Sequence, residues 1–284
     1  MKSSQTAGRG DRTTTAPIDV WNLDTFDAAL IDVLHSQKQV FVDYFATDRA
    51  NYLEREASDR RGPPPSNPHA SAYYRFADDL MAVMQTRTIR AWHHTRMTDR
   101  EVASARNNGL YPATLDFLRA RLADRVADGD FTSDEARVIF EASPFQNDQL
   151  GSRGGKFWMT SHPQRIDDGG VTSLLAHWGG ESAYFNHEEG EMLDKLSNLG
   201  TPRVFEIAVP LGVTPDAYSA AKAVIALYAR SLSCHTDWGG FDLYATSHLG
   251  PDRLLNVHSA GEADFVALGR GYPGAYRSRY GEDD

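Results

Sequence analysis

The strongest constraint on the fold of this chain is a change in sequence pattern at Thr88. Before this residue, apolar side chains recur at helical spacing. After it, short runs of β-branched and aromatic residues alternate with helical segments. These strands and helices do not follow the regular βαβ order that builds a parallel sheet. The sequence therefore predicts a protein of the α+β class.

The composition divides the chain into four segments. Residues 1–17 are rich in Ser, Thr, Gly and charge, which predicts a disordered tail. Residues 18–87 predict an N-terminal helical appendage, residues 88–265 the main domain, and residues 266–284 a polar C-terminal tail. The apolar faces of the appendage are too wide to remain in water, so we expect them to pack on the main domain.

The appendage contains three segments with apolar residues at helical spacing, and a proline-rich segment interrupts them. Asp24 is the predicted cap of the first helix, and the other two helices run through residues 40–45 and 73–84. Proline has no N–H group and clashes with the preceding helical turn, so an extended linker is expected between the second and third helices. Its prolines are Pro63, Pro64, Pro65 and Pro68.

The main domain combines strand patterns with clear helix starts. The predicted strands cover residues 88–95, 156–160, 205–209, 241–247 and 253–258. Two capping boxes, in which a Thr and a Glu three residues later satisfy each other's backbone N–H groups, predict two helices. They are Thr98 with Glu101 and Thr132 with Glu135, and Thr214 with Pro215 predicts a further helix start.

The composition disfavours several classes of protein. With 39 acidic and 29 basic residues the formal charge is −10, which argues against nucleic-acid binding driven mainly by phosphate contacts. Cys234 is the single cysteine, so neither an intramolecular disulfide nor a Cys-rich zinc site is expected. Neither a bilayer-spanning apolar run nor the apolar segment of a secretory signal is found, so a cytoplasmic protein without a membrane partner is expected.

The most distinctive short motif is His93-His94-Thr95, at the end of the first predicted strand. Side chains two residues apart share one face of a strand, so His93 and Thr95 can together hydrogen-bond a diol such as a ribose. A capped helix follows and ends at Gly109-Leu110. On the residues alone, the alternative is that His93 is a structural histidine.

This order of features resembles the ADP-ribosyltransferase superfamily. The similarity is greatest to the branch that contains poly(ADP-ribose) polymerases, RNA 2′-phosphotransferases and DNA-modifying ADP-ribosylating toxins. In that branch, a strand with His-x-Thr or His-x-Ser binds NAD, and a helix ending in Gly-Leu follows it. The resemblance covers about residues 88–260. It implies a split antiparallel sheet and an NAD-binding role for His93 and Thr95.

The second strand of that family carries a glycine, an aromatic residue that stacks on nicotinamide, and then a small or hydroxyl residue. Gly155, Trp158 and Thr160 match this order, with Trp in place of the usual Tyr. The resemblance therefore implies that Trp158 and Thr160 contact NAD. Arg153 lies just before them and can pair with a pyrophosphate. The alternatives are a core aromatic residue for Trp158 and a solvated turn residue for Arg153.

The third element of the family is a late strand whose glutamate steadies positive charge as the glycosidic bond breaks. The strand that begins Phe241-Asp242 aligns best with it and places Asp242 where Glu is expected. Asp is one CH₂ shorter, which reduces its reach by about 1.5 Å. Glu181, beside two glycines, is an equal candidate for the catalytic carboxylate. Glu206 ranks third.

The resemblance implies that this chain cleaves the nicotinamide–ribose bond of NAD and transfers ADP-ribose to a macromolecular acceptor, either protein or nucleic acid. Two variants remain open: an NAD glycohydrolase, with water as acceptor, and an inactive binding module of the same fold. A more distant alternative is a metal-dependent hydrolase. Its ligands would come from His93, His94, His177, His187, Glu188, Glu189, His235 and Asp237.

Overall fold

The computed structural model describes residues 16–58, 65–146, 150–236 and 239–271. Its α-helices are α1 (Ala28–Ser36), α2 (Lys38–Ser58), α3 (Ala70–Gln85), α4 (Asp99–Asn108), α5 (Leu115–Ala127), α6 (Ser133–Ala142), α7 (Leu150–Arg153), α8 (Gly169–Ala176), α9 (Glu181–Tyr184), α10 (Glu191–Asn198), α11 (Ala217–Ser231) and α12 (Ala263–Leu268). Its strands are β1 (Thr88–Met97), β2 (Phe157–Thr160), β3 (Thr201–Pro210), β4 (Asp242–Ala245) and β5 (Leu254–Ser259). Among these residues, no helix has the length and apolar character needed to cross a membrane.

Parts of three predicted segments lie outside the described residues. They are residues 1–15 and 272–284 of the two tails, and Pro63 and Pro64 of the linker. The C-terminal boundary predicted at residue 265 falls inside α12, where the buried Phe265 packs on the sheet. The folded part of the chain therefore continues past the predicted boundary, because Phe265 anchors this short helix.

The five strands form one open antiparallel sheet in the order β4-β2-β1-β3-β5. The central strand β1 pairs with β3 along its whole length, from Thr88 opposite Pro210 to Met97 opposite Thr201. β3 also pairs with β5, and β2 pairs with β4, in both cases antiparallel. The α+β class predicted from the sequence is thus confirmed.

The two faces of the sheet pack on different helices because successive side chains of a strand alternate in direction. We call the first face the one that carries Ile89, Ala91, Met159, Phe205, Ile207 and Leu243, all of which lie in the main core. The second face carries Trp92 and Val204, which pack on α8 and α12 in a smaller core. These two cores fix the position of β1 from both sides.

The predicted helical appendage shares the main core with the sheet. α1, α2 and α3 bury Leu30, Phe41, Leu80 and Met84 in the same cluster as the first face, and α3 packs along α11. Truncation of such a fully buried side chain typically costs about 2–5 kcal/mol. These helices therefore fold as one body with the sheet, which is the packing that their wide apolar faces predicted.

Side-chain caps explain several of the observed helix starts. Both predicted capping boxes are present, with Thr98 and Glu101 at α4 and Thr132 and Glu135 at α6. The cap of α1 is Asp27, whose carboxylate accepts the N–H of Leu30. The prediction of Asp24 was wrong because that residue lies in a separate short 3-10 turn. The helix predicted from Thr214 begins later, because a 3-10 turn over Leu211–Val213 precedes α11 at Ala217.

Gly109 ends α4 in a conformation that only glycine adopts comfortably. Its φ is +83°, and a Cβ atom there would lie 2.2 Å from the carbonyl oxygen of Leu249. The next residue, Leu110, exchanges two backbone hydrogen bonds with Leu249. Gly109 thus lets the end of α4 approach the connection between β4 and β5.

Gly109→Ala is expected to lower the free energy of unfolding by roughly 3 kcal/mol or more, because backbone strain and a clash with main-chain atoms add together. Gly129→Ala is the matched control. Gly129 has a φ of +82°, but a Cβ atom there would have no neighbour within 4 Å. Strain alone should cost about 1–2 kcal/mol. Urea denaturation of both variants measures the difference, and equal losses would contradict the role of the close approach.

Candidate active site

The three strands to which the resemblance assigns NAD-directed residues lie side by side. β1 carries His93 and Thr95, its neighbour β2 carries Trp158 and Thr160, and β4, on the far side of β2, begins at Asp242. Residues that are up to 149 positions apart in sequence are thereby brought to one half of a single sheet. The third-ranked carboxylate, on β3, lies on the other side of β1.

β1 and β2 pair at a single position, Trp92 opposite Thr160. The imidazole of His93 bridges the two strands just beyond this pair, with Nδ1 2.8 Å from the carbonyl oxygen of Trp158. A carbonyl oxygen only accepts hydrogen bonds, so Nδ1 carries the proton and donates it. The neutral ring therefore keeps its lone pair on Nε2, ready to accept a hydrogen bond from a hydroxyl group.

The surroundings of His93 keep its imidazole neutral. Burial lowers its pKa to about 4, the hydrogen bond to Trp158 raises the pKa in part, and the positive charge of Arg121 lowers it further. The ring packs on the first face against Phe157, with ring centroids 4.5 Å apart, and more loosely against Phe205 at 6.2 Å. At neutral pH this side chain is therefore an acceptor that can position a ligand.

Thr95 shares the first face with His93, as the period of two predicted, and is buried. It lies opposite Arg203 on β3. The guanidinium of Arg203 forms an ion pair with Asp99 and a hydrogen bond to Ser259, which ties the start of β3 to α4 and β5. His93 is thus the more accessible member of the motif.

Trp158 and Thr160 lie on the second face, with Asp242. Trp158 is opposite Tyr244 and Thr160 is opposite Asp242, and residues opposite each other in a sheet share a face. The side chains of His93 and Trp158 therefore lie on opposite faces of the sheet. The imidazole contacts the Trp158 backbone, and the aromatic ring beside it is that of the preceding residue.

Asp242 lies at the exposed start of β4, yet partial burial of its carboxyl raises its pKa. A second carboxylate is close to it. Asp216, just before α11, accepts the N–H of Tyr244 at 3.2 Å. Burial raises the pKa of Asp216, the hydrogen bond from Tyr244 opposes this shift, and the charge of Asp242 adds to it. The edge of β4 thus brings together two carboxyl groups, one of which the sequence analysis missed.

Arg153 and Glu181 form an ion pair with each other. Both side chains are about one-third exposed, and the guanidinium also lies 4.9 Å from the ring centroid of Phe185. The predicted phosphate-binding arginine and one of the two predicted catalytic carboxylates thus neutralise each other, between α7 and the start of α9. Asp242 has no such cationic partner among the ion pairs of the described residues.

A buried network joins Glu101 to Arg121 and Trp178. The capping box of Glu101 with Thr98 was predicted, but these two contacts were not. The carboxylate of Glu101 accepts hydrogen bonds from the Thr98 N–H, the Trp178 indole and Arg121, each at 2.9 Å. Burial alone would raise the pKa of Glu101. The charge of Arg121 and these hydrogen bonds outweigh burial and lower the pKa. An ionised glutamate thus pairs with Arg121, whose positive charge also lowers the pKa of His93.

Glu206 is held in a separate polar cluster on the second face. Its carboxylate lies 3.3 Å from Nε2 of His258 and accepts a hydrogen bond of 3.1 Å from Asn256. Both partners belong to β5, at the opposite edge of the sheet from β4. Glu206 therefore lies apart from β2 and β4.

Two further histidines near β1 are buried and neutral. Burial lowers the pKa of His94 to about 3, helped by His93 and His162, and burial lowers the pKa of His162 to about 4. The ordinary value is 6.5, so the unfolded chain takes up protons before the folded protein as the pH falls. The contribution of these two histidines to the free energy of unfolding is therefore fully present above about pH 6.5. It is lost as the pH falls toward their pKa values in the folded protein.

We expect the melting temperature to fall between pH 7 and pH 5, and to fall less in His94→Gln. Glutamine is similar in size but does not titrate, so the variant loses one of the groups that couple folding to proton uptake. Thermal unfolding of both proteins at the two pH values measures this difference. The same decrease in both proteins would contradict a contribution from His94.

Within the described residues, no group of three or more His, Cys, Asp or Glu side chains is arranged to hold a metal ion. Asp237, one of the ligands considered for the metal-dependent alternative, lies outside those residues. Two of the histidines considered for that alternative contact backbone carbonyl groups instead. His93 faces the Trp158 carbonyl and His177 the Ser173 carbonyl.

Comparison with known proteins adds no relative. No protein-family model matches this chain, and no curated protein or solved structure does so.

Proposed function

We propose that this protein cleaves the nicotinamide–ribose bond of NAD and transfers ADP-ribose to an acceptor, at a site where β1 and β2 separate. The observation that carries the proposal is the arrangement β4-β2-β1, with His93 bridging the separation. This arrangement suits the split antiparallel sheet that the resemblance to ADP-ribosyltransferases implies. The proposal requires a substrate that passes between the strands, because His93 lies on the first face and Asp242 on the second.

His93 is proposed to position the substrate. Because its Nδ1–H is committed to the Trp158 carbonyl, its Nε2 accepts a hydrogen bond from a ribose hydroxyl. The charge of Arg121 favours the neutral ring. The contact of His93 forms before chemistry begins, so it contributes mainly to binding and orientation.

Asp242 is proposed to stabilise the transition state. The glycosidic C–N bond breaks with its electron pair leaving on nicotinamide, and the ribose carbon becomes an oxocarbenium-like cation. A fixed carboxylate near that carbon stabilises the developing charge. The acceptor then attacks the carbon and releases its proton. Asp242 is preferred to Glu181 because Glu181 is already paired with Arg153.

The direct test is to incubate the full chain with NAD and to measure nicotinamide release by chromatography, with and without candidate acceptors. Release that requires an acceptor supports the transferase. Release with water alone supports the glycohydrolase variant. Binding of NAD without release supports the inactive binding module. Absence of both binding and release would overturn the proposal.

A further inference from the structure

The short helix α12 lies across the second face of the sheet. It follows β5, and just after it the carbonyl oxygen of Gly269 accepts a hydrogen bond of 3.1 Å from the N–H of Ile166, in the loop after β2. Between these two attachments, Phe265 packs against Trp92, the residue of β1 that pairs with β2. We call this helix, Ala263–Leu268, the strap, because it crosses β3 and is attached on both sides.

One imidazole lies between two carboxylates where the strap begins. His258, on β5, is buried, and its Nε2 lies 3.3 Å from a carboxylate oxygen of Glu206 on β3. The other ring nitrogen, Nδ1, lies 3.9 Å from the carboxylate of Asp264, in the first turn of the strap. His258 thus connects the sheet to the strap electrostatically.

A neutral imidazole can serve only one of these two carboxylates, because it carries a single N–H. That proton belongs on Nε2 of His258, which is buried without another hydrogen-bond partner among the described residues and lies closer to its carboxylate. The lone pair of Nδ1 then faces Asp264, and the two repel each other. Once Nδ1 takes up a proton, both contacts become attractive.

The remaining charged groups around His258 have partners of other kinds. They are Arg90 of β1, which lies 3.9 Å from Glu206, Glu262, which accepts the N–H of Ser259, Arg203 of β3, which pairs with Asp99, and Asp252, which pairs with Arg253 in the turn before β5. Histidine is the side chain that ordinarily changes its charge near neutral pH. His258 is therefore the group in this set that can respond to pH in that range.

We propose that the strap is pH-sensitive: proton uptake by His258 holds α12 on the second face, and proton loss at higher pH releases it. The docked strap favours the charged ring, so this contribution is fully present at low pH and is lost as the pH rises. The direction is opposite to that of His94 and His162, whose neutral forms stabilise the fold. The inference does not rest on the proposed function, because the strap contains none of the residues assigned to NAD.

The test is hydrogen exchange of the α12 amide groups in the full chain at about pH 6 and about pH 8, measured by mass spectrometry and normalised to the intrinsic exchange rate at each pH. Both pH values lie above the ordinary range of carboxyl groups, so a histidine is the side chain that titrates between them. In the wild type, protection should be about 2- to 5-fold greater at the lower pH, the effect of one partly exposed ion pair.

Two substitutions should remove most of this dependence on pH. His258→Gln retains an N–H donor but does not titrate, and Asp264→Asn removes the charge with which the second proton pairs. The side chain of Asp264 is 79% exposed, so its replacement should leave the fold intact even where His258→Gln destabilises it. Asp252→Asn is the matched control. It removes an exposed carboxylate that pairs with Arg253, and it should keep the pH dependence of the wild type.

Three results would overturn the proposal. They are equal normalised protection of α12 at the two pH values, greater protection at the higher pH, and a pH dependence that persists unchanged in both His258→Gln and Asp264→Asn. Each of them leaves the proposed function as it stands, because the exchange experiment is performed without NAD.

Discussion

Replacement of Asp242 by Asn is expected to lower kcat for nicotinamide release by about 100-fold or more, the scale of one preorganised electrostatic contact. Asparagine keeps the shape of the side chain and removes its charge, so the oxocarbenium-like transition state loses more stabilisation than the bound substrate does. Asp242 is exposed at the start of a strand, so the fold should tolerate the change. KM should therefore change little.

Glu181→Gln is the matched control for Asp242→Asn. It removes the other candidate carboxylate and breaks the ion pair with Arg153, but its kcat should stay within a few-fold of the wild type. His93→Ala should instead raise KM, because it removes a contact made before the chemical step. If Glu181→Gln loses the activity and Asp242→Asn keeps it, the assignment of the carboxylate is reversed.

Replacement of Glu101 by Ala is expected to cost about 3–5 kcal/mol of unfolding free energy, the cost typical of removing one partner of a buried ion pair. The change leaves Arg121 without its carboxylate and the Trp178 indole without its acceptor. Both side chains of the ion pair are less than 15% exposed, so water replaces these contacts poorly. Urea denaturation measures the loss.

Glu135→Ala provides the comparison, because Glu135 completes the other capping box and also pairs with a lysine, Lys195. Among the described residues, Glu135 has no buried tryptophan or arginine as a partner. Glu135→Ala should therefore lose much less unfolding free energy than Glu101→Ala. Equal losses in the two variants would show that the capping box alone explains Glu101. The network around Arg121 would then contribute nothing measurable to stability.

The fold was largely predictable because its signals are local. All five strand patterns correspond to strands, although their ends differ by up to several residues. Both capping boxes form as predicted because Thr and Glu three residues apart meet within one turn. Errors occurred where a short 3-10 turn intervenes, as at Asp24 and Thr214, since a cap residue fits either type of turn.

The site was less predictable because it depends on strand register and on distant contacts. The sequence pattern singles out His93, Trp158 and Asp242 as candidate site residues. Their strands β1, β2 and β4 are neighbours in the sheet. A motif does not specify which face each side chain takes, and a shift of one residue reverses the face. No local pattern indicates that Arg153 pairs with Glu181, 28 positions away, instead of facing a ligand.

A crystal structure of the full chain with a non-hydrolysable NAD analogue tests the central claim most directly. We predict that the nicotinamide ribose lies where β1 and β2 separate, with a hydroxyl within hydrogen-bond distance of His93 Nε2 and the anomeric carbon facing Asp242. An analogue bound away from β1 and β2, or no bound analogue at saturating concentration, would contradict the proposed site.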